Sequence, residues 1–266
     1  MKVLIISDIH VGMHENLKEI FKKQLETLYA NNVFDYVLIL GDITDNYLKS
    51  VKYLEYLNRY VPTRAILGNH DLYHTNVDII KVLEDFKNYE VCLTSNPIEN
   101  IETNSIIVGN IGWHDYTCYQ GKDYQEDLDN LDFKRINRGD YSNSDITSII
   151  KTEMQLLLLR SQQIGYNNII PVTHYAPHPD LVRGKKHPIS NMFGNTYSHN
   201  LYKQFNIKQA YYGHTHERIV QVIENVKYVT NSIGYLEEFK YVSITNNGKK
   251  DLEHEVILNN LCIIEI

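Results

Sequence analysis

Apolar and polar positions fall into short blocks that alternate in kind along the first third of the chain. "KVLIIS", "DYVLIL" and "TRAIL" are compact apolar runs. Each is followed by a segment with helical periodicity. In "ENLKEIFKKQLETLYANN" the spaced residues are Leu17, Ile20, Phe21, Leu25 and Leu28. In "DNYLKSVKYLEYLNRY" they are Leu48, Val51, Leu54, Tyr56 and Leu57, and "TNVDIIKVLEDFKNY" closes the series. This βαβαβα alternation predicts a layered α/β domain that opens on a largely parallel sheet with right-handed crossovers.

The pattern then changes. "VCLT" and "SIIVGNIGW" predict strands. Residues 115–150 are polar and rich in Tyr, Asp and Asn, which predicts an inserted loop or small cap. "DITSIIKTEMQLLLLRSQQIG" predicts a helix with Ser144 or Asp145 as N-cap and Gly165 at its end. "NNIIPVTHY" and "IKQAYYGHTH" are apolar runs with polar ends, separated by the short helix pattern "SHNLYKQF". "ERIVQVIENVKYVTNS" predicts strand, turn and strand, with Glu224 and Asn225 at the turn, and the remaining chain continues in a β-rich mode. With neither a repeat nor a linker, the expectation is one domain over residues 1–266, carrying its insert at about 115–150.

Composition narrows the classes. A chain of 266 residues with 43% hydrophobic and 22% charged residues has ample material for a globular core. Net charge is -7 and there is no long Lys/Arg run, which gives no strong nucleic-acid signal. The N-terminal apolar run meets Ser7 and Asp8 too early for a secretory segment, and no stretch has the length of a membrane span. Cys92, Cys118 and Cys262 are scattered, which suits free thiols in a reducing cytoplasm. Nothing in the sequence sets the oligomeric state.

The informative feature is how the apolar runs end. "KVLIIS" ends in Asp8-Ile9-His10, "DYVLIL" in Gly41-Asp42, and "TRAIL" in Leu67-Gly68-Asn69-His70-Asp71. "NNIIPV" ends in Thr173-His174-Tyr175, and "IKQAYY" in Gly213-His214-Thr215-His216. Five buried strands therefore run directly into groups that bind metals or move protons. In an α/β sheet such groups gather outside the carboxyl ends of the strands. Oxygen and imidazole donors without thiolates suit Mn, Fe, Zn, Co or Ni and disfavour a structural zinc. D-x-H and H-x-H would put both side chains on one side of an extended backbone. The glycines before Asp42, Asn69 and His214 would permit sharp turns or close approach. Two divalent ions, two carboxylates and one hydroxide leave a net positive centre, which attracts a phosphate oxyanion.

The ordered set "DIH", "GD", "GNHD", an isolated "H" and "GHTH" resembles the calcineurin-like metallophosphoesterase superfamily over residues 8–216. The resemblance implies a four-layer α/β/β/α sandwich of two mixed sheets with a dinuclear metal site at the strand carboxyl ends. It implies that Asp8, His10 and His216 hold one ion with Asp42, and that Asn69, His174 and His214 hold the second, Asp42 bridging. His70 would protonate the leaving alkoxide, Asp71 would orient its imidazole, and Asn69 would also touch the phosphate. The expected reaction is hydrolysis of small phosphate mono- or diesters, nucleotides among them, by in-line attack of a hydroxide bridging the ions. Phosphoprotein phosphatases of this superfamily carry an Arg where Asn46 stands and a Glu where Asp71 stands, which disfavours protein substrates. The third motif is closer to the cyclic-nucleotide and general phosphodiesterase branch. The alternatives are a nuclease of the same fold, a silent scaffold and a non-phosphate metallohydrolase.

Other residues have blander readings. Asp45 suits a helix N-cap, and Trp113, His114, Asp115 and His178 are candidates for the pocket wall. Tyr235 stands where relatives border the site. Tyr116, Tyr119, Tyr124 and Tyr141 of the insert would stack on a base or pack the cap. His14, His74, His187, His199 and His254 read as surface or internally satisfied residues.

Overall fold

A computed structural model describes residues 1–12, 17–118, 134–183, 188–235 and 261–266. His14, Tyr119, Tyr124, His187, His254 and most of the expected β-rich C-terminal stretch lie outside these residues. The elements are β1 (Lys2–Ile6), α1 (Leu17–Ala30), β2 (Tyr36–Leu40), α2 (Tyr47–Asn58), β3 (Thr63–Ile66), α3 (Ile79–Phe86), β4 (Ile98–Asn100) and β5 (Ser105–Asn110). They continue as α4 (Asn143–Ile164), β6 (Asn168–Thr173), α5 (Tyr197–Gln204), β7 (Gln209–Tyr212), β8 (Arg218–Ile223), β9 (Val226–Asn231) and β10 (Cys262–Glu265).

The strands form two mixed sheets, ordered β10-β1-β2-β3 and β4-β5-β6-β7-β9-β8. Strand alternation builds three cores from them. Val3, Ile5, Leu38, Leu40 and Ile66 face Ile107, Ile170, Val172, Tyr211 and Val229 between the sheets. On the outer face of the first sheet, Leu4, Ile6, Val37 and Ile39 pack against Phe21, Leu25, Val51, Leu54, Val82 and Phe86 of α1–α3. On the outer face of the second, Ile106, Val108, Ile169, Ala210 and Tyr212 pack against Met154 and Leu158 of α4 and Leu201 and Tyr202 of α5. The result is the expected four-layer α/β/β/α sandwich. Both faces of each sheet are covered, so its central strands are continuous apolar runs.

Several local expectations are corrected. "VCLT" forms no strand. Cys92 makes only an isolated bridge to Ala65. Leu48 is exposed, and α2 buries Tyr47, Ser50 and Tyr53 beside Val51, Leu54 and Leu57. The N-cap of α4 is Ser142. Asp145 sits at N3 and closes a capping box, so the helix starts inside the expected insert. Gly165 caps its C-terminus in the left-handed conformation. The β8–β9 turn has positive φ at both Glu224 and Asn225, the geometry that a tight hairpin demands.

The carboxyl ends of β1–β3 and β6, β7 and β9 open on one edge, where the two sheets are laced together. Ser7 bridges Ser232 in parallel, with 3.0 Å between their hydroxyls. The backbone N–H of Ile233 donates to Ser7 and that of Gly234 to Asp8.

Candidate metal centre

The ends of β1, β2 and β7 turn sharply as they leave their sheets. Asp8, His10, Asp42, His214 and His216 all have positive φ, between 41° and 67°. Left-handed backbone at non-glycine residues costs of order 1 kcal/mol each and clusters at functional sites. The expected extended D-x-H and H-x-H geometry is therefore corrected: the side chains converge through left-handed turns. Gly41 and Gly68 make the approach possible. A Cβ on Gly41 would stand 2.6 Å from His174 Nδ1, and one on Gly68 would stand 2.7 Å from His174 Cε1 and against Asp42 Oδ1.

Three clusters of donor atoms result among the described residues, each with its atoms within 4.8 Å of one another: His10 with Asp45 and His70, and two that contain the expected ligands. One holds Asp8, His10, Asp42 and His216, and the other Asp42, His174 and His214. Asp42 belongs to both, with Oδ2 3.8 Å from His10 Nε2 and Oδ1 3.3 Å from His174 Nε2. Asn69 joins the second cluster, with Oδ1 2.9 Å from His174 Nε2. All seven sequence-expected ligands meet at one edge.

The imidazole tautomers show that the cluster fits a cation. His174 Nδ1 lies 2.8 Å from the Leu40 carbonyl, which can only accept, so Nδ1 carries the proton and Nε2 the lone pair. That lone pair faces Asn69 Oδ1 and Asp42 Oδ1, so three acceptors point at one space. His214 Nε2 donates to the Met192 carbonyl at 3.0 Å, which leaves the Nδ1 lone pair as the one able to bind a metal. His10 Nε2 and His216 Nε2 approach to 3.2 Å. Protonation does not relieve the crowding, because burial lowers His174 to about 4 and His10 to about 3, and drives His214 well down. Burial works to raise Asp8, but His174, His216 and His10 outweigh it and hold the carboxyl at about 2. Burial, with Asp8 and Asp71 nearby, pushes Asp42 well up despite the His70 imidazole. A divalent cation satisfies such a set of nitrogen and oxygen donors.

His70 lies beside this cluster. Its backbone N–H donates to Asp42 Oδ1 at 2.9 Å, and its ring packs 4.8 Å from that of His10. The expected Asp71–His70 pair is corrected. Asp71 is fully buried and accepts from the backbone N–H groups of Ile43, Thr44 and Gly68 and from the Ser50 hydroxyl. The partner of His70 Nδ1 is Asp45, at 3.0 Å. That hydrogen bond, helped by the imidazole charge, lowers the Asp45 carboxyl. The N-cap of α2 is Asn46, not Asp45. The other ring nitrogen, Nε2, lies 3.1 Å from the Tyr235 hydroxyl. Asn69 Nδ2 donates to Tyr73, a contact the sequence reasoning did not foresee.

Other candidates have local partners of their own. Trp113 is buried and donates to Asn143. His114 stacks on Trp113, Asp115 accepts from Thr196, and His178 caps the short turn Pro179–Leu181. His199 is buried against the Tyr228 hydroxyl, and His74 is exposed.

Comparison with known proteins agrees with this geometry. The family model described as calcineurin-like phosphoesterase matches residues 1–218. A curated relative, the uncharacterized metallophosphoesterase Cj0846 of Campylobacter jejuni, is 32% identical over 100 residues, which is 36% of this chain. That match spans about a quarter of the relative's length, 26%. Among solved structures, the phosphopantetheinyl hydrolase PptH of Mycobacterium tuberculosis superposes with TM-score 0.68 at 19% identity, over 88% of this chain and 89% of that one. A dimetal phosphatase from Danio rerio gives 0.50 at 12% identity, over 86% of each chain. GAP50, the anchor in the inner membrane complex of Plasmodium, gives 0.51 at 10% identity over 99% of this chain and 80% of that one. The structural likenesses establish the sandwich fold, and the family match covers every strand end that supplies a donor. The chain belongs to the calcineurin-like phosphoesterase family.

Proposed function

We propose that this chain is a two-metal phosphoesterase that hydrolyses small phosphate mono- or diesters, nucleotides among them. The observation that carries the reading is the membership of Asp42 in both clusters of expected ligands. Asp8, His10 and His216 with Asp42 would hold one divalent ion, and Asn69, His174 and His214 with Asp42 the other. Bound there, the ions would supply charge neutralisation for the phosphoryl group and an activated water. No helix among the described residues is long and apolar enough to cross a membrane. The free thiols of Cys92, Cys118 and Cys262 suit a reducing cytoplasm.

The residues around the centre have separable tasks. Asp45 accepts from His70 Nδ1, which leaves Nε2 as the atom that gives its proton to the departing alcohol. The backbone bond from His70 to Asp42 fixes that acid relative to the bridging carboxylate. The Tyr235 hydroxyl lies 3.1 Å from Nε2, and an alcohol oxygen that took a proton from Nε2 would stand at a similar distance. Asp71 holds the turn after β2 against the turn after β3, and so keeps Asp42 beside Asn69 and His70. The Leu40 and Met192 carbonyls lock the two imidazoles in ligating tautomers.

The test is metal analysis followed by a panel of phosphomonoesters, cyclic nucleotides, nucleic acids and a phosphopantetheinyl conjugate, each with added Mn²⁺. Turnover of a small ester, lost on chelation and restored by Mn²⁺, is the expected result. Silence across the panel at full metal loading would overturn the reading. Preference for nucleic acid would replace it with a nuclease.

A further inference from the structure

The chain returns from its polar insert through residues 134–137, and this short stretch is tied tightly to the segment that follows the "GNHD" turn. Tyr73 bridges Ile136 in antiparallel fashion. The N–H of His74 donates to the Arg135 carbonyl, and the N–H of Ile79 to that of Asn137. Ile136 is buried in the core beneath α1–α3, while the side chain of Arg135 is exposed. The backbone under Arg135 is thus held in place, and the side chain projects from a fixed point.

The guanidinium lies over the Tyr73 ring, 5.3 Å from its centre. Tyr73 in turn packs 4.5 Å from the His70 ring, and its hydroxyl accepts from Asn69. A cation is therefore stationed one aromatic ring beyond the residue assigned to the leaving alcohol. Among the described residues no carboxylate pairs with Arg135, in a chain whose net charge is -7. Stacking on an aromatic face leaves guanidinium N–H donors at the edge of the plane, where they bind a carboxylate or phosphate in bidentate fashion.

Resting on the phosphoesterase reading above, we propose that Arg135 recognises an anionic group carried by the departing alcohol. The preferred ester then has a carboxylate or a second phosphate a few bonds beyond the scissile oxygen. The alcohol must reach His70 to receive its proton. Tyr73 beside His70 is buried, with the exposed guanidinium over its ring, so a leaving group that extends over this side meets Arg135 rather than the ring.

The experiment uses the metal-loaded protein and two matched pairs of probes. Phenyl phosphate and meta-carboxyphenyl phosphate report turnover. Benzylphosphonate and meta-carboxybenzylphosphonate, which cannot be cleaved at the replaced bridge, report equilibrium binding by calorimetry. The wild-type protein is expected to prefer the carboxylated member of each pair. Arg135→Ala should reduce that preference roughly three- to tenfold, the range for a charge-assisted hydrogen bond at an exposed site. Arg135→Lys should restore part of it, and the thermal midpoint should not move, because the side chain is exposed. Equal treatment of the two members by the wild type, or a preference untouched by Arg135→Ala, overturns the inference alone. A uniform loss of both members would assign Arg135 to the scissile phosphate, and also overturns it. Failure of the wild type to cleave either ester or bind either phosphonate at full metal loading also overturns this inference, and the phosphoesterase reading falls with it only if the wider panel of mono- and diesters is silent too.

Discussion

Replacing Asp45 by Asn separates the acid's support from the metal's support. The carboxylate of Asp45 meets His70 Nδ1 at 3.0 Å, and its side chain is 42% exposed. A buried hydrogen bond to a charged group contributes roughly 1.5–3 kcal/mol, and an exposed ion pair about 0.2–1 kcal/mol. Partial exposure places this pair between them, at about 1–1.5 kcal/mol, which is about tenfold in rate. The loss should depend on the leaving group. An alkyl phosphate needs protonation of its departing alkoxide, whereas a para-nitrophenyl ester does so far less. Steady-state assays with both esters, with metal content measured on the same preparations, are the check. Asp45→Asn should keep full metal content, lose about tenfold in kcat on the alkyl ester, and lose little on the nitrophenyl ester. Asp71→Asn should behave differently. It strands at least one backbone N–H of Ile43, Thr44 or Gly68, at a cost of about 1–3 kcal/mol, and should lower the thermal midpoint. If Asp71→Asn instead slowed only the alkyl ester at an unchanged midpoint, and Asp45→Asn did nothing, the assignment of the two carboxylates would be refuted.

Two further predictions follow from packing and from burial. Gly68→Ala puts a Cβ against Asp42 Oδ1 and His174 Cε1, so Mn²⁺ affinity should fall at least tenfold in competition with a chromogenic chelator, and wild-type affinity in this variant would contradict the close approach. Acid should destabilise the metal-free protein. His10 and His174 have folded pKa values depressed by burial to about 3 and about 4, so their contribution is full above the unfolded value of 6.5 and is lost as pH falls toward the folded values. Asp42 and Asp71, both raised by burial and Asp71 to about 6, work in the opposite sense, favouring the folded state at low pH and losing that contribution as pH rises, but they are two groups against the buried imidazoles of His10, His114, His174 and His214. The urea midpoint should therefore drop between pH 6.5 and pH 4, and a flat profile would show that these imidazoles are not neutral and desolvated in the folded chain.

The positions of the converging donor side chains were legible in the sequence because each follows an apolar run, and five such runs ending in Asp, Asn or His form a pattern that a single turn or helix cap does not explain. The four-layer order was legible only through the resemblance carried by the ordered motifs, because runs such as Val3, Leu4, Ile5 and Ile6 are apolar on both faces and predict no more than a layered α/β domain. The pairing of the two second-row carboxylates was not. His70 and Asp71 are neighbours in sequence, but they sit in the short 3₁₀ turn His70–Leu72, which points consecutive side chains in different directions. His70 turns outward to Asp45, and Asp71 turns inward to the backbone. Arg135 was invisible for a related reason: one cation in a polar stretch carries no periodic signal, and only the bridge between Tyr73 and Ile136 brings it to the site. The strand expected at "VCLT" failed because apolar content alone does not supply a hydrogen-bonding partner along its whole length. Cys92 finds just one bridge to Ala65.

The most direct measurement of the central claim is anomalous diffraction from crystals grown with Mn²⁺. The account predicts two peaks about 3.5–4 Å apart with the Asp42 carboxylate between them. One would lie beside Asp8, His10 and His216, and the other beside Asn69, His174 and His214. A single peak, or a pair of peaks with Asp42 touching neither or only one of them, would contradict it.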